Sequence, residues 1–340
     1  MKVLILGGSE FVGRAFVEEA LSLGWPVTVF NRGTHPPPPG VTALRGDRSA
    51  PGGLAALEHG EWDIVVDTWS WAPSAVRDTA RLLAGRAGHY VYVSSRSVYA
   101  YPAPAGATED APVVESTPDR ADADDYAATK RGGELAALGA FGDRALLARA
   151  GLVLGPYENI GRLPWWLLRV ARGGPVLAPG PADAERPLVD ARDLAAWSLA
   201  AAARGLAGPY DVVSPPGHAT MRTLLEACVK VTGSDAELWW AGPEPILAAG
   251  VQPWTDLPIW LPPGELDDHI YSGDVSKAVA AGLRCRPAEQ TVADTWAWLR
   301  RIGGEPPMRP DRPSVGLDPA VEAALLEGLR PHGGGRPVRP

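Results

Sequence analysis

The first 24 residues constrain the fold more than any other segment of the chain. Residues 2–6 form a short apolar run, which is typical of a buried parallel strand. Glycines follow at positions 7, 8 and 13, and apolar side chains then recur at helical spacing up to Gly24. A strand, a glycine turn and a helix N-terminus form an anion cradle, because backbone N–H groups and the helix dipole face the bound group. This segment predicts a Rossmann-type fold that holds the pyrophosphate of a dinucleotide.

The alternation of strand and helix patterns continues to about residue 155. Strand patterns at 27–30, 63–67 and 89–93 are separated by segments with helical periodicity. This order is typical of a doubly wound parallel sheet, whose ligands bind at the carboxyl ends of the strands. We therefore expect Thr68 and Ser95, which follow or end two of these strands, to face the cofactor.

The end of the second strand carries the signal for the type of cofactor. An acidic side chain commonly binds the ribose 2′-hydroxyl of NAD at this point. Here neutral Asn31 is followed by cationic Arg32, which suits a 2′-phosphate. Arg48 is an alternative cation for that phosphate, and Asp47 is expected beside the adenine. The sequence predicts that NADP is preferred, with NAD as the alternative.

Tyr126 and Lys130 indicate the chemistry. They lie four residues apart in a helical pattern, so they share one face of the helix. The ammonium group then lies beside the phenol, and a nearby cation favours the phenolate. Such a tyrosine can pass a proton to or from the oxygen of an alcohol or ketone, while Ser95 hydrogen-bonds the same oxygen. The three residues predict redox chemistry at a secondary alcohol or ketone.

Together these motifs resemble the extended short-chain dehydrogenase/reductase superfamily, which includes the NAD-dependent epimerases and dehydratases. The resemblance covers most of the chain and also includes residues 93–99, 149–156, 186–195 and 274–278. It implies that Ser95, Tyr126 and Lys130 are catalytic, and that Lys130 also holds the nicotinamide ribose. The residues expected to contact the cofactor are Gly7, Ser9, Glu10, Phe11, Val12, Gly13, Asn31, Arg32, Asp47, Arg48, Thr68 and Lys130. Arg96 and Arg186 are candidate substrate contacts.

Three departures from the family pattern bear on function. Glu10 replaces the middle glycine of the loop, and its carboxylate would oppose a pyrophosphate unless it points away. Arg96 and Ser97 replace the Asp-Glu pair of the 4,6-dehydratases, so dehydration is not expected. Leu152 replaces an Asn that holds the diphosphate of nucleotide sugars, whereas Arg186 matches a basic residue used on such diphosphates. A nucleotide-sugar substrate is therefore disfavoured but left open.

The domain organisation follows from the resemblance and from composition. We expect a dinucleotide-binding domain at 1–155 with a returning segment at about 186–214, and a smaller α+β substrate lobe at 156–185 and 215–302. Residues 303–340 are expected to form a linker, a short helix at 319–329 and a disordered tail at 331–340. The loop 101–125, rich in Pro, Ala and acidic residues, is expected to be a mobile cover over the site.

Composition limits the partners. The net charge of −8 argues against nucleic acid. Cys228 and Cys285 are the two cysteines; they lack metal-ligand spacing, so we expect no metal and a reducing compartment. Neither a signal peptide nor a membrane-spanning stretch is evident, which predicts a cytoplasmic enzyme without a membrane partner. Arginine far outnumbers lysine among the 32 basic residues, which suggests a GC-rich bacterial genome. The resemblance also implies a homodimer.

Three functions remain open from the sequence. The first is an NAD(P)-dependent oxidoreductase acting on a secondary alcohol or ketone of a small polar, sugar-like or specialised-metabolite substrate. The second is an NAD-dependent epimerase of a sugar or sugar nucleotide, which would use the same three residues. The third is a non-catalytic dinucleotide-binding or RNA-binding relative, against which the intact set of Ser95, Tyr126 and Lys130 argues.

Overall fold

The computed structural model describes residues 1–329, so the disordered tail expected at 331–340 lies outside the described residues. The chain divides into two compact units. The first unit comprises Met1–Glu158, Pro187–His218 and Gly264–Pro287. The second unit comprises Asn159–Arg186, Ala219–Pro263 and the described residues from Ala288 onward.

A seven-stranded parallel sheet forms the centre of the first unit, and its strand order is β10-β6-β5-β4-β1-β2-β3. The strands are β1 (Val3–Leu6), β2 (Val27–Asn31), β3 (Thr42–Arg45), β4 (Trp62–Asp67), β5 (Ala87–Ser95), β6 (Ala145–Ala150) and β10 (Gly208–Val212). A separate parallel pair joins β7 (Leu152–Leu154) to β9 (Leu188–Asp190). The predicted Rossmann-type doubly wound sheet is confirmed.

Helices cover both faces of this sheet. Those of the first unit are α1 (Phe11–Ser22), α2 (Pro73–Leu83), α3 (Tyr126–Phe141), α5 (Ala191–Ala203), α8 (Glu265–Tyr271) and α9 (Ser276–Ala280). Side chains of β1 alternate between two apolar cores: Val3 and Ile5 pack with α1 and α5, whereas Leu4 and Leu6 pack with α2 and α3. Burial of each such side chain contributes about 1.5–3 kcal/mol, which explains why β1 is apolar at every position.

The parallel register sets the level at which the site is built. Leu6 of β1 pairs with Asp67 of β4, and Asp67 pairs with Tyr92 of β5. The residues that follow, including Gly7 and Thr68, therefore lie along one edge of the sheet, as expected for the ligand-binding edge of such a fold.

The second unit is built around a two-stranded parallel sheet of β8 (Pro175–Pro179) and β11 (Glu237–Ala241). Its helices are α4 (Arg162–Ala171), α6 (Met221–Thr232), α7 (Pro243–Ala248), α10 (Ala288–Arg301) and α11 (Pro319–Leu329). α11 is fastened by a buried ion pair, in which Arg169 Nε lies 2.6 Å from Glu322 Oε2. The Leu177 amide also donates to Glu322. Residues 303–329 are thus an integral part of this unit.

The observed division differs most from the expected boundaries at one segment. Residues 264–287, which were expected in the substrate lobe, belong to the first unit. Lys277 of α9 donates to the carbonyl of Pro209 on β10, and the Asp274 amide donates to the carbonyl of Ala107. The sequence pattern did not show this return, because it rests on hydrogen bonds between residues far apart in the chain.

Candidate active site

The glycine loop has a backbone that only glycine accommodates. Gly7 and Gly8 have φ values of +118° and +93°, which side chains rarely adopt. At Gly13 a Cβ would lie 2.7 Å from the Gly8 nitrogen, and at Gly7 it would lie 2.8 Å from the Thr68 hydroxyl. The close approach of α1 to the loop leaves room for a pyrophosphate over the helix N-terminus, so these residues fit a dinucleotide.

Glu10 is accommodated at the edge of this loop. It is exposed and occupies the N-cap position of α1, with Oε1 3.6 Å from His35 Nδ1. The carboxylate is thus directed towards the turn that follows β2. With its carboxylate directed towards that turn, Glu10 is compatible with an anion in the glycine loop.

Asn31 ties the turn after β2 to the glycine loop. Its Nδ2 donates to the Gly7 carbonyl at 3.3 Å and to Ser9 Oγ at 3.1 Å, and its Oδ1 accepts from the Gly33 amide. Arg32, the next residue, is exposed and has no ion pair or hydrogen bond within residues 1–329. The structure therefore places an available cation at the point where the sequence predicts the 2′-phosphate.

Arg48, the alternative cation for the 2′-phosphate, lies in the protein interior. Its guanidinium is buried and bidentate on Asp67, with both N–O distances 2.7 Å, and it also donates to Thr79 and to the Ala75 carbonyl. Burial acts to raise the pKa of Asp67, but Arg48 outweighs it and holds that pKa below the ordinary value. The Arg48 guanidinium is thus engaged by Asp67, Thr79 and the Ala75 carbonyl. Asp47 caps a turn by accepting from the Ser49 amide.

The helix α3 presents the Tyr126/Lys130 pair at the sheet edge. Asp125 caps the helix by accepting from the Ala128 amide at 3.0 Å, so α3 begins at Tyr126. The Tyr126 side chain is among the exposed aromatics, with 37% of the residue accessible, whereas Lys130 is only 3% accessible. Tyr126 is thus accessible at the start of a helix whose lysine is buried.

Lys130 reaches the ends of two central strands. Its Nζ donates to the carbonyl of Trp69, just after β4, at 2.8 Å and to the carbonyl of Val93 in β5 at 2.7 Å. Gly133 permits this close packing, because a Cβ there would collide with the Tyr92 hydroxyl. Two of the three ammonium N–H groups therefore fix α3 to the sheet.

Ser95 ends β5 and lies beside a second hydroxyl that the sequence reasoning did not select. The Ser95 Oγ donates to Ser97 Oγ at 3.1 Å and accepts from the Ser97 amide at 3.1 Å. Both serines are half-buried. The hydroxyl of Ser95 is therefore oriented by Ser97. In the sequence, Ser97 was evident only as part of the departure from the dehydratase pattern.

The two candidate substrate arginines are both buried. Arg96 Nε lies 3.2 Å from Asp211 Oδ2, and its Nη1 donates to the Ile270 carbonyl. Arg186 is 0% accessible and donates to the carbonyls of Glu185 and Leu261. Both guanidinium groups are engaged by protein groups in the interior, and a substrate contact by either residue stays a prediction.

Comparison with known families decides the assignment. A model of the NAD dependent epimerase/dehydratase family matches residues 3–213.

The chain belongs to this family.

As a member of the NAD dependent epimerase/dehydratase family, the chain is an enzyme. Solved structures with the same fold include the UDP-glucose 4-epimerase of Thermus thermophilus in complex with NAD, at 23% identity and a TM-score of 0.61, covering 88% of this chain and 99% of that one. UDP-glucuronic acid 4-epimerase from Bacillus cereus in complex with NAD is 14% identical with a TM-score of 0.63, covering 89% and 99%. WbmH of Bordetella bronchiseptica in complex with NAD⁺ is 18% identical with a TM-score of 0.60, again covering 89% and 99%. At these identities the likeness establishes the fold. No match was found among curated proteins.

The loop expected to be a mobile cover over the family's site is fastened at several points. The Ala103 amide donates to His269 Nδ1 at 3.1 Å, and the Gly106 amide donates to the Ser272 carbonyl. Tyr99 and Val113 form an antiparallel bridge across its base. The loop is thus tied to α8 and the turn after it within the first unit.

Every helix within residues 1–329 is too short or too polar to traverse a bilayer. Across the same residues, no three His, Cys, Asp or Glu side chains are grouped so as to hold a metal ion.

Proposed function

We propose that this family member is an NADP-preferring oxidoreductase acting on a secondary alcohol or ketone of a small polar molecule. The observation that carries the proposal is the seating of Lys130 on the carbonyls of Trp69 and Val93. These hydrogen bonds hold α3 against the end of β5, which supports a site in which Tyr126 and Ser95 act at the same edge of the sheet. That edge also bears the glycine cradle.

The chain's own residues supply the proton chemistry. Tyr126 gives a proton to the substrate oxygen in reduction and takes it back in oxidation. Ser95 donates a hydrogen bond to the same oxygen as its negative charge develops. Lys130 anchors the helix that carries Tyr126 through the Trp69 and Val93 carbonyls, and it would hold the ribose of a bound nicotinamide cofactor. When bound, the nicotinamide accepts or supplies the hydride.

Cofactor preference is argued from Arg32. It is exposed, has no partner within the described chain, and follows the strand end where an acidic residue would select NAD. Arg48 is excluded from this role by its pair with Asp67. A charge-assisted hydrogen bond from Arg32 to a 2′-phosphate would favour NADPH over NADH.

The burial of Arg96 and Arg186 bears on whether the substrate carries a diphosphate. Arg186 donates to main-chain carbonyls, and Arg96 is paired with Asp211. A diphosphate would need exposed cations, so the interior placement of both favours a substrate without one. Leu152, where the sugar-nucleotide enzymes have an Asn, points the same way.

An epimerase is the second candidate. It would oxidise the substrate and reduce it again without net redox change, using the same Ser95, Tyr126 and Lys130. Two of the solved structures that share the fold carry UDP-sugar epimerase names, which supports this alternative.

Two finer features accompany the proposal. Cys228 and Cys285 are both free thiols, which supports a reducing cytoplasmic location. A homodimer is proposed from the family resemblance, and sedimentation equilibrium of the purified chain would test it.

The deciding experiment is a titration of the purified protein with NADPH and with NADH, followed by nicotinamide fluorescence. Tight NADPH binding with weak NADH binding, and turnover of a panel of cyclic ketones and free ketoses, is the expected result. NAD(H) that co-purifies, with interconversion of UDP-glucose and UDP-galactose, would instead support the epimerase. Gly13→Ala is the matched control, since its Cβ would collide with the Gly8 nitrogen and should abolish binding of both cofactors. Absence of binding in the parent chain would overturn the proposal.

A further inference from the structure

A buried carboxylate lies on the same helix as the proposed catalytic pair. Glu134 is 0% accessible, and its Oε1 accepts from Ser94 Oγ at 2.8 Å and from Arg149 Nε at 2.8 Å. Its Oε2 accepts from Arg149 Nη2 at 3.1 Å and from Arg131 at 3.0 Å. One carboxylate thus joins α3 to β5 and β6.

The hydrogen bonds around Glu134 continue through Arg149 to Tyr99 and Asp211. Arg149 Nη1 donates to the Tyr99 hydroxyl at 3.2 Å, and that hydroxyl donates to Asp211 Oδ1 at 2.8 Å. Asp211 Oδ2 in turn lies 3.2 Å from Arg96 Nε. Ser94 and Arg96, which flank Ser95 in the chain, are therefore both held by one connected set of buried charges.

The spacing along α3 gives this network its relevance. Tyr126, Lys130 and Glu134 follow one another at intervals of four residues, so they lie along one face of the helix. Lys130 fixes the middle of that face to the sheet, and Glu134 fixes the next turn. The helix position relative to Ser95 is thereby set at two successive turns.

We propose that Glu134 is a positioning residue that sets the distance between Ser95 on β5 and the Tyr126/Lys130 pair on α3. This inference rests on the proposed function of those three residues. Glu134 touches neither substrate nor cofactor in this role; it acts through Ser94 and through the helix that carries it.

The pair of Glu134 and Arg149 can position the helix without adding to the stability of the fold. Replacing a buried ion pair with apolar residues of similar size is often neutral or stabilising, so stability alone does not require the pair. A pair made of fixed, bidentate hydrogen bonds does constrain direction and distance. A displacement of about 1 Å between reacting groups lowers a rate by about 100-fold, so the constraint matters most for turnover.

The test compares two ways of removing the pair. Glu134→Gln leaves Arg149 buried without its counter-charge, and Glu134→Met/Arg149→Met removes both charges. We expect both variants to unfold at a lower temperature than the parent. The single variant should lose more, because it leaves a buried charge uncompensated, whereas the double variant loses only neutral hydrogen-bond partners such as those of Ser94 and Tyr99. In both, kcat for the panel ketone that is reduced fastest should fall by about 10- to 100-fold, with NADPH affinity unchanged and the pH profile of kcat displaced.

The matched control is Glu322→Gln in the second unit. Glu322 is also buried and paired with an arginine, Arg169, so its loss should lower stability and leave the pH profile of kcat in place. A double variant with parental kcat and pH profile would overturn the positioning role while leaving the proposed function intact. A parent chain that turns over no ketone and no alcohol would overturn the proposed function, and the positioning role with it.

Discussion

The two ends of the proposed cofactor site are built differently. At the chemistry end, Lys130 is buried on two strand carbonyls and Glu134 is buried in a set of charge-assisted bonds. At the adenosine end, Arg32 stands exposed on a turn that is tied down chiefly by the Asn31 amide. Under the proposed function, the difference means that the reaction is fixed by packing, whereas the choice of cofactor depends on surface residues that can change without disturbing the fold.

The largest expected effect lies at the chemistry end. Tyr126→Phe removes the hydroxyl that exchanges the proton, so kcat should fall by about 10²- to 10⁴-fold. Cofactor affinity should stay near that of the parent, because the ring and the helix remain. Steady-state rates with a fluorescence titration of NADPH measure both quantities. Tyr101→Phe, on an exposed aromatic of the neighbouring loop, is the control; an unchanged rate in Tyr126→Phe would remove the catalytic assignment.

The interior arginine pair gives the next largest effect, on stability. Asp67→Asn leaves the buried Arg48 guanidinium without its counter-charge, which should cost about 3–5 kcal/mol of unfolding free energy. Urea unfolding measures this quantity. Asp119→Asn, which removes the exposed partner of Arg77, should change stability by less than about 1 kcal/mol. Equal losses in the two variants would contradict the distinction between buried and exposed arginines.

Asp211, in the connected set of buried charges that includes Glu134 and Arg149, makes the stability of the fold depend on pH. Burial raises the pKa of Asp211 to about 6, with Glu109 acting in the same direction and Arg96, Tyr99 and Arg149 opposing it. The folded state therefore favours the protonated form of Asp211. This contribution to the free energy of unfolding is fully present below the unfolded-state pKa of 3.8 and is lost as the pH rises through about 6.

The variant that isolates this effect is Asp211→Asn. Between pH 4 and pH 7 its stability relative to the parent should rise by up to about 3 kcal/mol, the free energy that corresponds to raising this pKa from 3.8 to about 6. Urea unfolding across this range measures the difference. A relative stability that falls with rising pH would mean that the ion pair with Arg96 outweighs burial.

The smallest effect is expected at the adenosine end. Arg32→Ser should weaken NADPH binding by about 10-fold, the loss of one charge-assisted hydrogen bond, and leave NADH binding and thermal stability unchanged. Arg81→Ser, at an exposed position of α2, should alter neither cofactor. Parallel titrations at low and high salt check the electrostatic origin. Equal losses for NADPH and NADH would show that Arg32 does not read the 2′-phosphate.

Much of the fold was predictable because it follows from local pattern. The apolar run of β1, the glycine loop and the C-terminal helix α11 each lie within a few residues of their expected positions. Strand alternation with helices predicts a parallel sheet without knowledge of any long-range contact. The site's edge was predictable for the same reason, since it is the carboxyl edge of that sheet.

The arginines were not predictable, because their roles depend on distant partners. Arg48 pairs with Asp67 on the next strand, and Arg186 is buried within the second unit, where it donates to the Leu261 carbonyl. Nothing in the local sequence distinguishes these from exposed cations such as Arg32. Glu134 left a detectable signal, the interval of four residues after Lys130, but its partners Ser94 and Arg149 only became evident in three dimensions.

The central claim is that one edge of the sheet holds a nicotinamide dinucleotide beside Tyr126. A crystal structure of the protein with NADP⁺ tests it most directly. The account predicts the pyrophosphate on the loop from Gly7 to Gly13, the 2′-phosphate on Arg32 and the nicotinamide ribose within hydrogen-bond distance of Lys130. A dinucleotide bound away from the glycine loop, or a nicotinamide remote from Tyr126 and Ser95, would contradict it.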